Sequence, residues 1–133
     1  MKLIFADTSF YQALISERDE HYEEALFLSA AVASGVTTTE WVLTELVNTF
    51  SRGAVRRRRV VELVDELRSS VQVLVVPAAP RDWSRGYDLF RRRADQGWSL
   101  VDCISFQLMW DREITQVLTF DEHFEQAGFE RVR

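Results

Sequence analysis

Leu3-Ile4-Phe5-Ala6-Asp7-Thr8-Ser9 is a run of four apolar residues that ends on a carboxylate and two hydroxyls. Four apolar residues are too few for a buried helix and read as a short buried strand. Thr8 to Ile15 then has helical spacing, and Asp7 is a good N-cap for it. A second unit of this kind lies near the other end. Val117-Leu118-Thr119-Phe120 ends on Asp121, and a short helix from Glu122 to Gln126 follows.

The segments between these units keep alternating. Helical patterns run from Tyr22 to about Ala33, Glu40 to Phe50, Ala54 to Ser69, Arg81 to Ala94 and Ser99 to Arg112. Val36 to Thr38 and the β-branched run Val71 to Val76 read as strands, with Phe129 to Val132 as an edge strand. Gly35, Gly53 and Gly97 stop helices. This alternation predicts an α/β fold with a parallel sheet covered by helices on both faces. Ligands bind such sheets outside the carboxyl ends of the strands. Asp7 and Asp121 are both expected at that edge.

The 133 residues fit one domain, 1–133, with a single core. The chain is 47% hydrophobic and 28% charged, as in a globular domain. No stretch approaches the roughly 20 apolar residues of a membrane span, and no membrane partner is expected. The first residues show no basic region followed by a long apolar one, and no leader is expected. Cys103 is the single cysteine, which fits a reducing cytoplasm and a small buried side chain. Net charge is −5. Cationic charge is nearly all arginine, clustered at Arg56 to Arg59 and Arg91 to Arg93. Such clusters read either as solvated helix faces laced with acids or as phosphate-binding rims of a groove.

Four carboxylates carry the chemistry. Asp7 and Asp121 each have a capping role open to them. So does Asp102, three residues after Ser99 in a capping-box arrangement. Glu45 has none: it lies mid-helix beside Trp41 and Val42, with Asn48 one turn on to hold it. Carboxylates that meet raise one another's pKa, and a hard divalent cation removes that cost. Mg²⁺ and Mn²⁺ take such ligands. The chemistry that follows is metal-assisted phosphodiester hydrolysis, with one ion or with two about 4 Å apart. Asp7 and Asp102 are expected to bind the ion most directly, with Glu45 and Asp121 completing the site. Water would attack phosphorus in line and leave a 5′-phosphate and a 3′-hydroxyl. His123 reads as a partly exposed residue of a first helical turn, outside the site, and His21 as a surface residue. Tyr11, Trp98 and Phe124 read as packing residues with base stacking as the alternative.

The opening Leu3 to Ser9, the helix segment Glu45-Leu46-Val47-Asn48, the run Trp98 to Ser105 and the closing Leu118 to Phe124 together resemble the PIN-domain ribonucleases. Within them the chain resembles VapC-type toxins of toxin–antitoxin pairs. The resemblance covers nearly the whole chain. It implies that Asp7, Glu45, Asp102 and Asp121 are metal-binding acids in a Rossmann-like three-layer sandwich with a parallel sheet of about five strands. It places Thr8 or Ser9, Asn48 and Ser105 behind those ligands or against substrate. It also implies an RNA substrate and a small antitoxin whose tail lies in the active-site groove, and the broad apolar faces of Tyr22 to Ala33 and Glu40 to Phe50 offer surface for that antitoxin or for a homodimer. A PIN nuclease of RNA processing and a non-catalytic binding module are the alternatives. A haloacid-dehalogenase-like phosphatase would need an Asp where Ser9 stands.

Overall fold

The computed structural model describes residues 3–32 and 35–133. Elements alternate along the chain: β1 (Ile4–Ala6), α1 (Thr8–Ile15), α2 (Tyr22–Ala31), β2 (Val36–Thr39), α3 (Glu40–Thr49), α4 (Ala54–Ser69), β3 (Val73–Val76), α5 (Pro80–Arg92), α6 (Leu100–Asp111), β4 (Gln116–Leu118), α7 (His123–Gln126) and β5 (Glu130–Arg131). The five strands form one sheet in the order β3-β2-β1-β4-β5. Every pairing is parallel. All four β2 residues are buried, as a strand covered on both faces requires.

The strand order decides where a ligand can go. From β1 the chain first builds outward through β2 to β3, then returns to the other side for β4 and β5. The reversal opens a crevice at the carboxyl end of β1, beside β4. Asp7 follows β1 directly, and Asp121 follows β4 by three residues. The Thr38 hydroxyl donates to the Ala6 carbonyl at 2.9 Å. That bond ties β2 to the last residue of β1 and fixes the strand end from which Asp7 projects.

The helices form two groups. α1, α2, α3 and α4 pack among themselves, α5, α6 and α7 do the same, and α3 touches α6. Burial of both sheet faces follows from this division. Phe106 of α6 anchors the second group, edge-on to Trp98 at 5.0 Å and to Phe124 at 4.9 Å. Trp98, Phe124 and Tyr11 are all buried, so none of them is free to stack on a base. Cys103 is buried, and burial pushes its thiol up to about 11, where it is inert.

Several boundaries differ from the sequence expectation. The strand expected from Val71 starts at Val73, because Val71 is fully exposed in a turn. The helix expected to reach Ala33 is described to Ala31, and Ala33 lies outside the described residues. The arginine run on α4 has a tertiary use beyond the two roles expected of it. Arg56 donates to the Thr49 carbonyl at 3.1 Å and Arg57 to Ser51 at 2.8 Å. Arg59 donates to the Ile15 carbonyl at 3.2 Å and faces Glu17. These three guanidinium groups satisfy carbonyls at or just beyond the carboxyl ends of α3 and α1. Arg91 and Arg93, by contrast, pair locally with Asp88 and Asp95.

Candidate metal centre

Asp7 is 3% exposed. It caps α1 through Ser9, whose hydroxyl donates to Asp7 Oδ2 at 3.0 Å. The Thr119 hydroxyl donates to the same oxygen at 3.1 Å. Ser9 Oγ also accepts from the Phe120 amide at 2.9 Å, so it links the ends of β1 and β4. Burial pushes the Asp7 carboxyl up to about 7, and the nearby Asp102 charge adds to the rise. The hydroxyls of Ser9 and Thr119 oppose it by favouring the ionised form. Ser9→Ala should therefore cost about 1–2 kcal/mol, since it strips a donor from Asp7 and an acceptor from Phe120. Chemical denaturation measures it, and an unchanged midpoint would refute the link.

Asp102 forms the capping box with Ser99: Asp102 Oδ2 accepts from the Ser99 amide at 3.1 Å, and the Asp102 amide donates to Ser99 Oγ at 3.0 Å. Asp121 accepts from the His123 amide at 3.0 Å, and its own amide donates to Thr119 Oγ1 at 3.0 Å. Capping and site-building therefore coincide. Asp7 and Asp102 are held by the first turns of α1 and α6, while Asp121 stands one residue before the Glu122 N-cap of α7 and is held by the His123 amide; all three line the cavity.

Glu45 reaches the same cavity from α3. Burial raises its pKa, the Thr8 hydroxyl pulls the other way, and the charges of Asp102 and Asp121 add to the rise. Thr8 stands close enough to favour the ionised Glu45, yet its buried hydroxyl completes no well-formed hydrogen bond. Asn48 does not hold Glu45. It is exposed one turn along and lines an adjoining groove with Trp41, Thr44, Glu45, Thr49 and Val101. Ser105 is fully buried in α6 and does not line the cavity.

The cavity has a volume of about 360 Å³ and collects all four acids with Thr8, Ser9, Gln12, Thr49, Ser99 and His123. Reading His123 as outside this cluster needs correction. It does lie in the first turn of α7, but its Nδ1 is 2.8 Å from Asp102 Oδ2 and 3.3 Å from Asp121 Oδ1. Burial works against its imidazolium, while the Asp102 hydrogen bond and the charges of Asp121, Asp102 and Glu122 outweigh burial and raise its pKa. No local pattern discloses this contact, because it depends on α6 starting opposite the end of β4. Thr119, which donates to Asp7, and Gln12, on the cavity wall, likewise carry no local pattern that marks them.

The donor set fits a divalent cation. Asp7 and Glu45 are both pushed toward protonation by burial and neighbouring carboxylates, which a bound ion would relieve. Among the described residues, Asp102, Asp121 and His123 offer ligand atoms that all lie within 4.8 Å of one another. Asp7 and Glu45 face the same cavity from outside that tight triangle.

The model of the PIN domain matches residues 4–130. The chain belongs to the PIN domain family. As a PIN domain it is similar to the 23S rRNA-specific endonuclease VapC20 of Mycobacterium tuberculosis, in strains CDC 1551 / Oshkosh and ATCC 25618 / H37Rv. Each is 31% identical over 131 residues, 98% of either chain. The crystal structure of M. tuberculosis VapC20, described as a Sarcin-Ricin loop cleaving toxin, superposes with a TM-score of 0.89. Its identity is 30%, over 98% of both chains. A DNA-bound VapBC structure from Salmonella typhimurium gives a TM-score of 0.67 at 16% identity. It covers 100% of this chain and 98% of its own, and bears on the fold alone. This PIN domain is thus a homologue of VapC-type toxin endoribonucleases.

Proposed function

We propose that this PIN domain is the toxin of a toxin–antitoxin pair and cleaves RNA with a Mg²⁺ or Mn²⁺ ion held by Asp7, Asp102, Glu45 and Asp121. The observation that carries this reading is the meeting of four carboxylates in one cavity at the sheet's reversal point. When bound there, a divalent ion lowers the pKa of a coordinated water and neutralises charge building on the phosphate. The chain's own part is placement. Ser9 and Thr119 orient Asp7, Ser99 orients Asp102, and the α7 backbone orients Asp121. Glu45 reaches the cavity from α3, where a scissile phosphate would meet it, with the buried Thr8 hydroxyl behind it. Asn48, on the adjoining groove, would touch the neighbouring nucleotide.

The likeness to VapC20 supports ribosomal RNA as the target class. Mapping cleavage ends in total RNA after brief expression tests this. Cuts bearing 5′-phosphate ends and concentrated in ribosomal RNA are expected, and scattered cuts would reject the target class.

A small antitoxin and a second copy of the chain complete the proposed assembly. Leu26 and Phe27 on α2 and Val47 on α3 are among the exposed apolar side chains that could receive them. Among the described residues no helix is long and apolar enough to cross a membrane. The free, buried Cys103 supports a cytoplasmic setting.

Metal binding has its own readout. Mn²⁺ at a hundred times its dissociation constant should stabilise the protein by about 2.7 kcal/mol. Asp102→Asn should lose most of that gain in a thermal melt. A metal-independent melting curve for the wild type would reject the site.

A further inference from the structure

We infer that His123 is a direct ligand of the metal ion and that its imidazole biases the site toward Mn²⁺ over Mg²⁺. The inference rests on the metal-dependent nuclease reading above and adds a nitrogen donor to its four acids. Three observations carry it.

The first is spacing. His123 Nδ1 stands 2.8 Å from Asp102 Oδ2 and 3.3 Å from Asp121 Oδ1. Neighbouring ligands of a small octahedral ion are about 3 Å apart, because each lies a little over 2 Å from the metal at right angles. Two edges of this triangle therefore match one face of an octahedron. Together with Asp102 and Asp121, His123 forms the metal-competent cluster found among the described residues.

The second is direction. A histidine that merely braces a ligand stands behind it, away from the ion. His123 instead lines the cavity alongside Asp102 and Asp121, with its side chain 27% exposed.

The third is rigidity. The His123 amide donates to Asp121 Oδ1, so ligand and ligand-bearing turn are fixed together. Asp102 is fixed separately by the capping box. The ring has little freedom to leave the two carboxylates.

The selectivity follows from ligand chemistry. Mg²⁺ takes oxygen donors and seldom nitrogen, while imidazole suits first-row transition ions. Mn²⁺ takes carboxylates readily and, as a first-row transition ion, tolerates an imidazole nitrogen better than Mg²⁺ does. A face of two carboxylates and one imidazole thus handicaps Mg²⁺.

Electron spin echo spectroscopy of Mn²⁺ bound to the full chain tests the ligand. A nitrogen modulation from a coordinated imidazole is expected in the wild type. The chain has two histidines, and His21 stacks on Phe120 at 4.3 Å, next to Asp121. His21→Gln must therefore keep the modulation and His123→Gln must lose it. In His123→Gln the Mn²⁺ dissociation constant should rise about tenfold or more. The Mg²⁺ constant, read by competition, should change by less than about threefold.

Bound Mn²⁺ without nitrogen modulation in the wild type would overturn His123 as a ligand and leave the acid site standing. Loss of the modulation in His21→Gln would do the same. A parallel fall in Mn²⁺ and Mg²⁺ affinity would overturn the selectivity. Absence of any bound Mn²⁺ would overturn the metal-dependent reading itself. His21→Gln leaves His123 as the one histidine in the chain, so a modulation kept in that variant decides the ligand even where a His123→Gln protein fails to fold.

Discussion

Asp7→Asn will abolish RNA cleavage and at the same time stabilise the metal-free protein at pH 8. Both effects come from one buried carboxylate. The folded-state pKa of Asp7 is about 7 against an ordinary 3.8, mainly because burial penalises the charged form. The folded protein therefore holds a proton between these two values that the unfolded chain releases. The contribution of Asp7 to stability is therefore most favourable below about pH 4, falls between about pH 4 and 7, and levels off above 7. At pH 8 the charged Asp7 costs the metal-free fold about 4 kcal/mol. Asparagine has the same shape, carries no charge and can still accept from Ser9 and Thr119. The variant should gain most of that 4 kcal/mol at pH 8 and lose its advantage as the pH is lowered toward 4. Cleavage should fall by about 10²–10³-fold or more, the scale for removing an electrostatic contact to a reacting centre. Urea denaturation at pH 5 and pH 8 in a chelator measures the first effect, and single-turnover cleavage with Mn²⁺ the second. A variant that cuts RNA at the wild-type rate would sink the metal assignment. One that is no more stable than wild type at pH 8 would show that Asp7 is not the strained carboxylate.

The opposing effects explain how aspartates held by local backbone bonds could also serve the proposed metal site. A cap needs one carboxylate lone pair, and Asp7, Asp102 and Asp121 each use an oxygen for backbone or hydroxyl donors. The sequence discloses the caps because capping is local. α1 begins after its Asp7 cap and α4 begins after Gly53. The strand order is not local, but the paired strand-then-carboxylate units at Asp7 and Asp121 make the shared edge legible. What stays hidden is rotation about a helix and the identity of a tertiary neighbour. Asn48 and Glu45 are one turn apart, yet Asn48 is exposed on the adjoining groove and does not bond Glu45. Ser105 is one turn from Asp102 and turns into the core. His123 meets Asp102 across 21 residues of chain, a contact set by how α6 and α7 meet. The α4 arginines show the same limit: a charge run gives no hint that its partners are carbonyls at other helix ends.

Position of α6 matters most for the site, and Gly86→Ala tests what sets it. α5 and α6 pack at Gly86, where an added Cβ would lie 2.3 Å from Ile104 Cγ1 and 2.9 Å from both Ile104 Cα and Ile104 N. A side-chain rotation of Ile104 can relieve the first contact. It cannot relieve the other two, which are backbone. Alanine is otherwise the better helix former by about 1 kcal/mol, so propensity and sterics act in opposite directions. Overpacking against a fixed backbone costs about 3 kcal/mol or more at the upper end of its range. Sterics win, and Gly86→Ala should destabilise the protein by about 2 kcal/mol or more, read from the urea midpoint. The only way to admit the methyl is to push α6 away from α5. Asp102 lies two residues from Ile104, so that shift moves Asp102 relative to Asp121 and His123. Mn²⁺ affinity should therefore fall along with stability, although Gly86 is no part of the cavity. Gly97→Ala is the control, since a Cβ there meets nothing within 4 Å. It should stay within about 0.5 kcal/mol of wild type. Should Gly86→Ala match or exceed the wild type in stability, close packing of α5 on α6 would not be what sets Asp102. Should it lose stability while keeping full Mn²⁺ affinity, the capping box at Ser99 would be holding Asp102 independently of the α5 contact.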